Sequence, residues 1–221
     1  MPTKLSATQG GMSLVSLMVG LLLSMIGILA AMTLYKNLVH ASVEARADAA
    51  QDGQLASAML SLQLELQSAG YGIAKTDPGT HLQLVAGPPR TLYWRYRSAA
   101  GSNEFVCRGF RIEDKDNNTR RELQLLSLPT ASCNASGNLS SLLGWSSNVI
   151  AEFRTSAAAP NLPAIDITNS VQTCFPYGMG ESANHQMVII TADNAARRVA
   201  ANAGTTMPNA ALVYNFCLPN L

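Results

Sequence analysis

The pattern of hydrophobic and polar residues changes twice along the chain. From Met12 to Tyr35 there is no charged residue, and a helix of that length would reach roughly 35 Å, enough to cross a bilayer core. From Lys36 to Ala69 the chain has no proline and is rich in Ala, Leu, Gln and Glu, which favours continuation of the same helix. Beyond about residue 75 the period changes from that of a helix to that of a strand.

The second half of the predicted helix is amphipathic. Four apolar residues recur at spacings of four, three and four, which places them on one face: Leu55, Met59, Leu62 and Leu66. The preceding turns carry side chains suited to solvent, namely Glu44, Arg46, Asp48 and Gln51. Gly70 and Gly72 favour helix termination, and Pro78 cannot continue a helix. We expect this half to pack on a domain through its apolar face.

The rest of the chain consists of short segments rich in β-branched and aromatic residues. Clusters of Gly, Pro, Asn and Ser separate these segments. The predicted strands are 91–97, 104–114, 121–128, 148–155, 164–168, 185–193 and 211–218. They indicate one or two antiparallel sheets laid against the second half of the helix, so the predicted fold class is α+β.

Length and charge restrict the functional classes. At 221 residues the chain has room for one ordinary domain with an appendage. Its net charge of +1 provides no basic field for nucleic acid.

The cysteines indicate disulfides rather than a metal or redox site. Cys107, Cys133, Cys174 and Cys217 form no C-x-x-C pair, and an even number in an exported chain favours two disulfides. Three pairings are possible. Loop closure favours Cys107 with Cys133 and Cys174 with Cys217, although the sequence leaves all three pairings open.

One polar segment is a weak candidate for calcium. The stretch DKDNNTRRE places oxygen-bearing side chains at alternating positions, as a calcium loop does: Asp114, Asp116, Asn118 and Glu122. An EF-hand loop requires glycine at its sixth place and an acid at its twelfth, where this chain has Thr119 and Leu125. A polar hairpin turn is the favoured interpretation.

No other motif points to catalysis. His40, His81 and His185 are far apart in sequence, and none belongs to a metal-binding spacing. No nucleophile elbow, P-loop or dinucleotide-binding motif occurs. We therefore expect a protein that is not an enzyme and has no cofactor beyond the weak calcium candidate.

The N-terminal third resembles the precursors of type IV pilins and pseudopilins. Its segment GMSLVSLMVGL (11–21) is similar to the family's cleavage and methylation motif, a Gly followed by a bulky apolar residue and then T/S-L-V/I-E-L-M-V. The segment LQLELQSAGYG (62–72) resembles the end of the long helix in minor pilins of the PilW type. The resemblance covers roughly the first 72 residues, and beyond them it is architectural only.

This resemblance implies a pilin fold with four segments: a leader peptide (1–11), the membrane-spanning half of the helix (12–35), its amphipathic half (36–72) and a β-rich domain (73–221). It implies that a prepilin peptidase cleaves after Gly11 and methylates the new amine of Met12. Gly20 and Gly27 would lie inside the helix, where glycine permits close helix contact or local unwinding, or serve as ordinary membrane-helix glycines.

The function implied is that of a non-catalytic minor pilin, which primes assembly of a type IV pilus or sits at its tip. Such a subunit has its periplasmic domain anchored in the inner membrane and later reaches the cell surface in the pilus. Its implied partners are the lipid bilayer, the prepilin peptidase, the inner-membrane assembly platform, other minor pilins and the major pilin. A surface or DNA contact at the tip is a further expectation.

Ser16 departs from the family pattern, which has glutamate at the fifth residue after cleavage. In the family that carboxylate is thought to meet the terminal amine of the subunit assembled ahead of it. A subunit with no neighbour ahead would hold an unpaired carboxylate in lipid, at a cost of about 2.5–3.5 kcal/mol, and a serine avoids this cost by bonding back to its own helix. The hypothesis is a position at or next to the filament tip; the alternative is a tolerated weakening elsewhere in the filament.

Three other interpretations remain open. A secretory signal peptide would use Lys4 as its positive region and Val39-His40-Ala41 as its cleavage site, although the apolar run exceeds the usual length of such a peptide. A type II secretion pseudopilin of the J kind would have a nearly identical N-terminal third. A membrane-anchored enzyme or solute-binding protein would need a pocket with convergent polar groups.

Overall fold

A computed structural model describes residues 14–74, 80–134, 137–155, 160–176, 183–195, 197 and 211–221. The fold is α+β, as predicted, with one long N-terminal apolar helix and antiparallel sheets. The chain divides into two units between Ala47 and Asp48. Gly11 and Met12, the predicted cleavage site, lie outside the described residues.

In the described part of the chain the elements are one α-helix, eight strands and two short 3₁₀ turns. They are α1 (Leu14–Leu66), β1 (Leu82–Val85), β2 (Arg90–Arg97), β3 (Phe105–Lys115), β4 (Arg120–Leu128), the 3₁₀ turns Thr130–Ser132 and Leu139–Ser141, β5 (Ser146–Arg154), β6 (Ile165–Cys174), β7 (Ala183–Asp193) and β8 (Ala211–Leu218).

The strands form two sheets, and every neighbouring pair is antiparallel. The first sheet has the order β1-β2-β3-β4-β5 and the second has the order β6-β7-β8. The sequence missed β1, whose four residues are too few to show a clear period. It also ended β6 at 168, six residues early, because the polar run from Thr168 to Thr173 does not alternate.

The core of the second unit lies between α1 and the inner faces of both sheets. The predicted helix stripe is confirmed, since its side chains are at most 2% exposed: Leu55, Met59, Leu62 and Leu66. They pack with Trp94 and Phe110 of the first sheet and with Val188 and Ile190 of the second. Of the residues expected in solvent, Glu44 and Arg46 are exposed, whereas Asp48 and Gln51 are half-buried because the helix enters the second unit there.

A smaller apolar cluster covers part of the opposite face of the first sheet. Tyr93, Leu126 and Leu128 on the strands pack with Leu139 and Trp145 of the connection between β4 and β5. The rings of Tyr93 and Trp145 are 5.0 Å apart. Gly109 lies under this cluster, where an added Cβ would be 3.1 Å from the Tyr93 ring and 3.2 Å from Leu126. A side chain here would therefore require Tyr93 or Leu126 to move by a few tenths of an ångström, and glycine avoids this.

The helix ends as the sequence predicts. α1 stops at Leu66, and Gly70 follows with φ +77°, a conformation that glycine adopts without strain. The Gly70 amide donates to the Arg95 carbonyl of β2 at 3.0 Å. A side chain at this position would also meet the Asn220 carbonyl, 2.7 Å from the added Cβ. The turn after the helix is thus joined to the first sheet.

Candidate functional site

The first unit exposes an apolar helix surface. Large apolar side chains from Leu14 to Val43 are 43–75% exposed, and the most apolar window of α1 has a mean hydropathy of 2.5 with none of it buried. Length and composition suit a membrane anchor, and a signal sequence near an N-terminus meets the same criteria. An apolar surface of this size marks a site of contact with lipid or protein. Val39, His40 and Ala41, the alternative cleavage position, lie within the helix.

Hydroxyl groups in this helix bond back to their own backbone. The Ser24 hydroxyl donates to the Gly20 carbonyl at 2.8 Å, and the Thr33 hydroxyl donates to the Leu29 carbonyl at 2.7 Å. Such bonds satisfy a polar side chain where no water is present. Ser16 is an exposed residue of α1, and the carbonyl four residues before it belongs to Met12, outside the described part.

Gly20 and Gly27 lie in the same exposed helix, as expected. A Cβ added to either glycine would meet no atom within 4 Å. The fold of the described chain therefore does not require glycine at these positions.

The second-unit part of α1 is joined to the β structure by polar contacts as well as by the core. The Asp52 carboxylate accepts a 3.0 Å hydrogen bond from the Ala195 amide, which follows β7. Glu65 faces Arg108 of β3, with the carboxylate 3.8 Å from Nε. The Asn220 amide donates to the Gln67 carbonyl at 3.3 Å. Burial, followed by the charge of Asp52, raises the pKa of Tyr214 on β8.

Two disulfides link the cysteines in the pairing that loop closure favours. Cys107 of β3 is joined to Cys133, and Cys174 at the end of β6 is joined to Cys217 of β8. The first bond holds the β4–β5 connection against the smaller apolar cluster. The second links the two edge strands of the three-stranded sheet.

The segment proposed as a calcium candidate forms a hairpin turn between β3 and β4. Asp116, Asn117 and Asn118 have φ between 52° and 63°, which Asn and Asp tolerate better than other side chains. Asp114 pairs with Arg121, and Glu113 pairs with Glu122, in the β3–β4 register. Since successive side chains of a strand point to opposite faces, Asp114 and Glu122 lie on opposite faces. The hairpin therefore does not bring the four candidate oxygens together.

These carboxylates form ion pairs with arginines instead. Arg121 forms a two-pronged pair with Asp114, at 2.6 and 2.7 Å. Arg120 lies 3.0 Å from Asp116 and 3.2 Å from Glu122. Glu122 also accepts a 2.7 Å hydrogen bond from Gln124. Among the described residues no three His, Cys, Asp or Glu side chains are placed to hold a metal ion.

Arg95 is an unexpected charge in the interior. Its side chain is fully buried on β2, and burial lowers its pKa. Its Nε donates to His81 Nδ1 at 3.2 Å, and its Nη1 donates to the Asn134 carbonyl at 2.6 Å. The Phe105 ring centroid lies 5.7 Å from the guanidinium carbon. Arg95 thereby joins β2 to the segments before β1 and after β4, a structural role that the sequence did not indicate.

One cleft lies between the β1–β2 turn and the start of β6. Its volume is about 500 Å³, and Pro88, Pro89 and Ile112 form part of its lining. Its charged lining residues form ion pairs: Arg121 with Asp114 inside the cleft, Arg90 with Asp166 just outside it, and Glu113 with Lys115. The charged groups that line this cleft are therefore already paired within the fold.

Comparison with protein-family models, with curated proteins and with solved structures gave no match. The feature of the chain that bears most directly on function is the contrast within α1. Its apolar side chains are exposed in the first unit, whereas one stripe of them is buried in the second.

Proposed function

We propose that this chain is a minor pilin of a type IV pilus, a non-catalytic subunit that primes filament assembly or sits at the pilus tip. The observation that supports the proposal is the two-part helix α1. Its first part presents apolar side chains to its surroundings, and its second part forms the core of an antiparallel β domain. A continuous helix of this kind can serve both as anchor and as assembly element.

In this proposal the apolar part of α1 is covered first by lipid and later by neighbouring subunits. Before assembly, a bilayer covers the side chains from Leu14 to Val43, which water would otherwise surround. In the filament, neighbouring helices replace the lipid, and Gly20 and Gly27 allow them to approach closely. Cleavage after Gly11 frees the N-terminus of the helix for this exchange. The two disulfides suit a β domain that folds in the oxidising periplasm.

The first expected result is processing of the chain by a prepilin peptidase. The intact mass of the protein from its native host should show loss of residues 1–11 and gain of one methyl group, only when the peptidase is present. A Gly11→Val variant should remain uncut, because the branched side chain obstructs the backbone in the active site. The neighbouring Gly10→Val variant is the matched control and should be cut normally. An uncut parent chain, or cleavage near Ala41, would exclude the pilin assignment.

A second expected result concerns the tip. With no subunit ahead to supply an amine, a Ser16→Glu variant would hold an unpaired carboxylate in lipid, at about 2.5–3.5 kcal/mol. We expect fewer assembled pili, counted by electron microscopy, with the labelled protein still at one end. Ser16→Ala introduces no charge and should leave the number unchanged. If Ser16→Glu increased the number of pili and spread the protein along the shaft, the tip position would be wrong.

A further inference from the structure

Arg95 and His81 are joined by two hydrogen bonds at the start of the first sheet. The Arg95 amide donates to the His81 carbonyl at 3.1 Å, and Arg95 Nε donates to His81 Nδ1 at 3.2 Å. The backbone bond continues the β1–β2 pairing by one residue, since Leu82 lies opposite Trp94. Backbone and side chain of Arg95 therefore both hold the residue that precedes β1.

The side-chain bond requires His81 to be neutral. A guanidinium group can only donate hydrogen bonds, so His81 Nδ1 accepts this bond with its lone pair. In a protonated imidazole both ring nitrogens carry hydrogen and neither can accept. Whatever else His81 contacts, a proton on Nδ1 would remove its bond to Arg95.

The buried Arg95 side chain depends strongly on each acceptor that it has. It is fully buried, and its Nη2 has no hydrogen-bond partner in the described structure. Its Nη1 donates to the Asn134 carbonyl at 2.6 Å. A second unpaired donor on a buried charged group would cost more than the loss of an average hydrogen bond.

A second arginine lies close to this contact. The guanidinium carbons of Arg97 and Arg95 are 5.1 and 5.7 Å from the centroid of the Phe105 ring. The acid nearest to that ring in sequence, Glu104, is exposed. A proton on His81 would therefore add a positive charge beside two existing ones.

A cavity of about 290 Å³ beside His81 is lined by uncharged side chains. The other described residues of its lining are Ile73, Ala74, Leu82, Gln186, Asn220 and Leu221. His185, next to Gln186 on β7, has its Nδ1 3.2 Å from the Leu221 carbonyl. The side chains of this lining cannot neutralise a positive charge on His81.

We infer that His81 is an acid-sensitive connection within the β domain. Neutral His81 holds Arg95, which in turn joins β2 to the segments before β1 and after β4, and protonation of His81 releases this connection. Histidine in an unfolded chain takes up a proton near pH 6.5. The stabilisation is therefore complete above about pH 6.5 and is lost as the pH falls below that value. The inference goes beyond the proposed pilus function and does not rest on it, because both residues lie in the β domain.

Urea unfolding of the full-length, detergent-solubilised chain at pH about 7.5 and about 5.0 tests the inference. The urea midpoint of the parent should be lower at the acid pH by about 1 M. His81→Gln retains a side-chain acceptor that does not titrate, so its fall should be about a third of that or less. His185→Gln, on β7, is the matched control and should show the same fall as the parent.

The ring-nitrogen NMR spectrum of histidine-labelled protein provides a second measurement, which does not require His81→Gln to fold. The variants His40→Gln and His185→Gln each remove one histidine signal and so assign the remaining one to His81. At pH about 7.5 its Nδ1 should be unprotonated, and it should gain a proton over the same pH range in which the urea midpoint falls. A parent midpoint that does not change with pH, an equal fall in His81→Gln, or a protonated Nδ1 at pH about 7.5 would each overturn the inference.

Discussion

Replacing Leu62 by alanine is expected to lower the free energy of unfolding of the β domain by about 2–5 kcal/mol. Leu62 is fully buried where α1 meets both sheets. The shorter side chain would leave a cavity that α1 cannot close without losing the contacts of Leu55 and Leu66 on the same face. Urea unfolding of the detergent-solubilised chain, followed by tryptophan fluorescence, measures the change.

The control for this prediction lies two residues earlier on the same helix. Leu60 is 59% exposed, so Leu60→Ala should change the free energy of unfolding by no more than about 0.5 kcal/mol. Equal effects of the two substitutions would show that the helix does not form the core of the domain. The fold described for the second unit would then be wrong.

Removing the disulfide between Cys107 and Cys133 should destabilise the domain by about 3.5 kcal/mol, the chain-entropy value for a loop of this size. The bond spans 26 residues, and both of its cysteines belong to the smaller apolar cluster, so its loss releases the β4–β5 connection. A Cys107→Ala, Cys133→Ala double variant avoids free thiols. Its urea midpoint should fall, and limited proteolysis should cut between β4 and β5.

The other disulfide gives the matched comparison. It spans 43 residues, so a Cys174→Ala, Cys217→Ala double variant should lose about 4 kcal/mol on the same basis. Proteolysis should then be enhanced near the ends of β6 and β8 and not between β4 and β5. A reducing agent should not lower the urea midpoint of this variant through the Cys174–Cys217 bond, because that bond is already absent. A double variant with the urea midpoint of the parent would contradict the predicted stabilisation.

The local sequence pattern was enough to predict those features that depend on residues close together in the sequence. The spacing of Leu55, Met59, Leu62 and Leu66 identified the buried face of α1, because helical period alone places them together. Gly70 and Gly72 marked its end through backbone freedom. The polar run at residue 114 predicted the β3–β4 turn. The strands with clear alternation were also found, with small differences at their ends.

Only the tertiary structure decided how these elements combine. The number of sheets, the presence of β1 and the extension of β6 depend on pairing between residues distant in sequence, which no local period encodes. The β3–β4 register placed Asp114 and Glu122 on opposite faces, although their spacing suggested a common site. Arg95 became buried because segments before β1 and after β4 supply its hydrogen-bond acceptors.

The sequence by itself thus determined an apolar helix continued by an amphipathic one, an α+β class and the favoured cysteine pairing. Each of these follows from hydrophobic period, residue conformational preference or loop length, which act over short stretches of chain. The tertiary structure decided which charges are paired, which polar groups are buried and which strands are neighbours in each sheet. Those properties depend on the packing of distant segments, where register and burial are set by the whole domain.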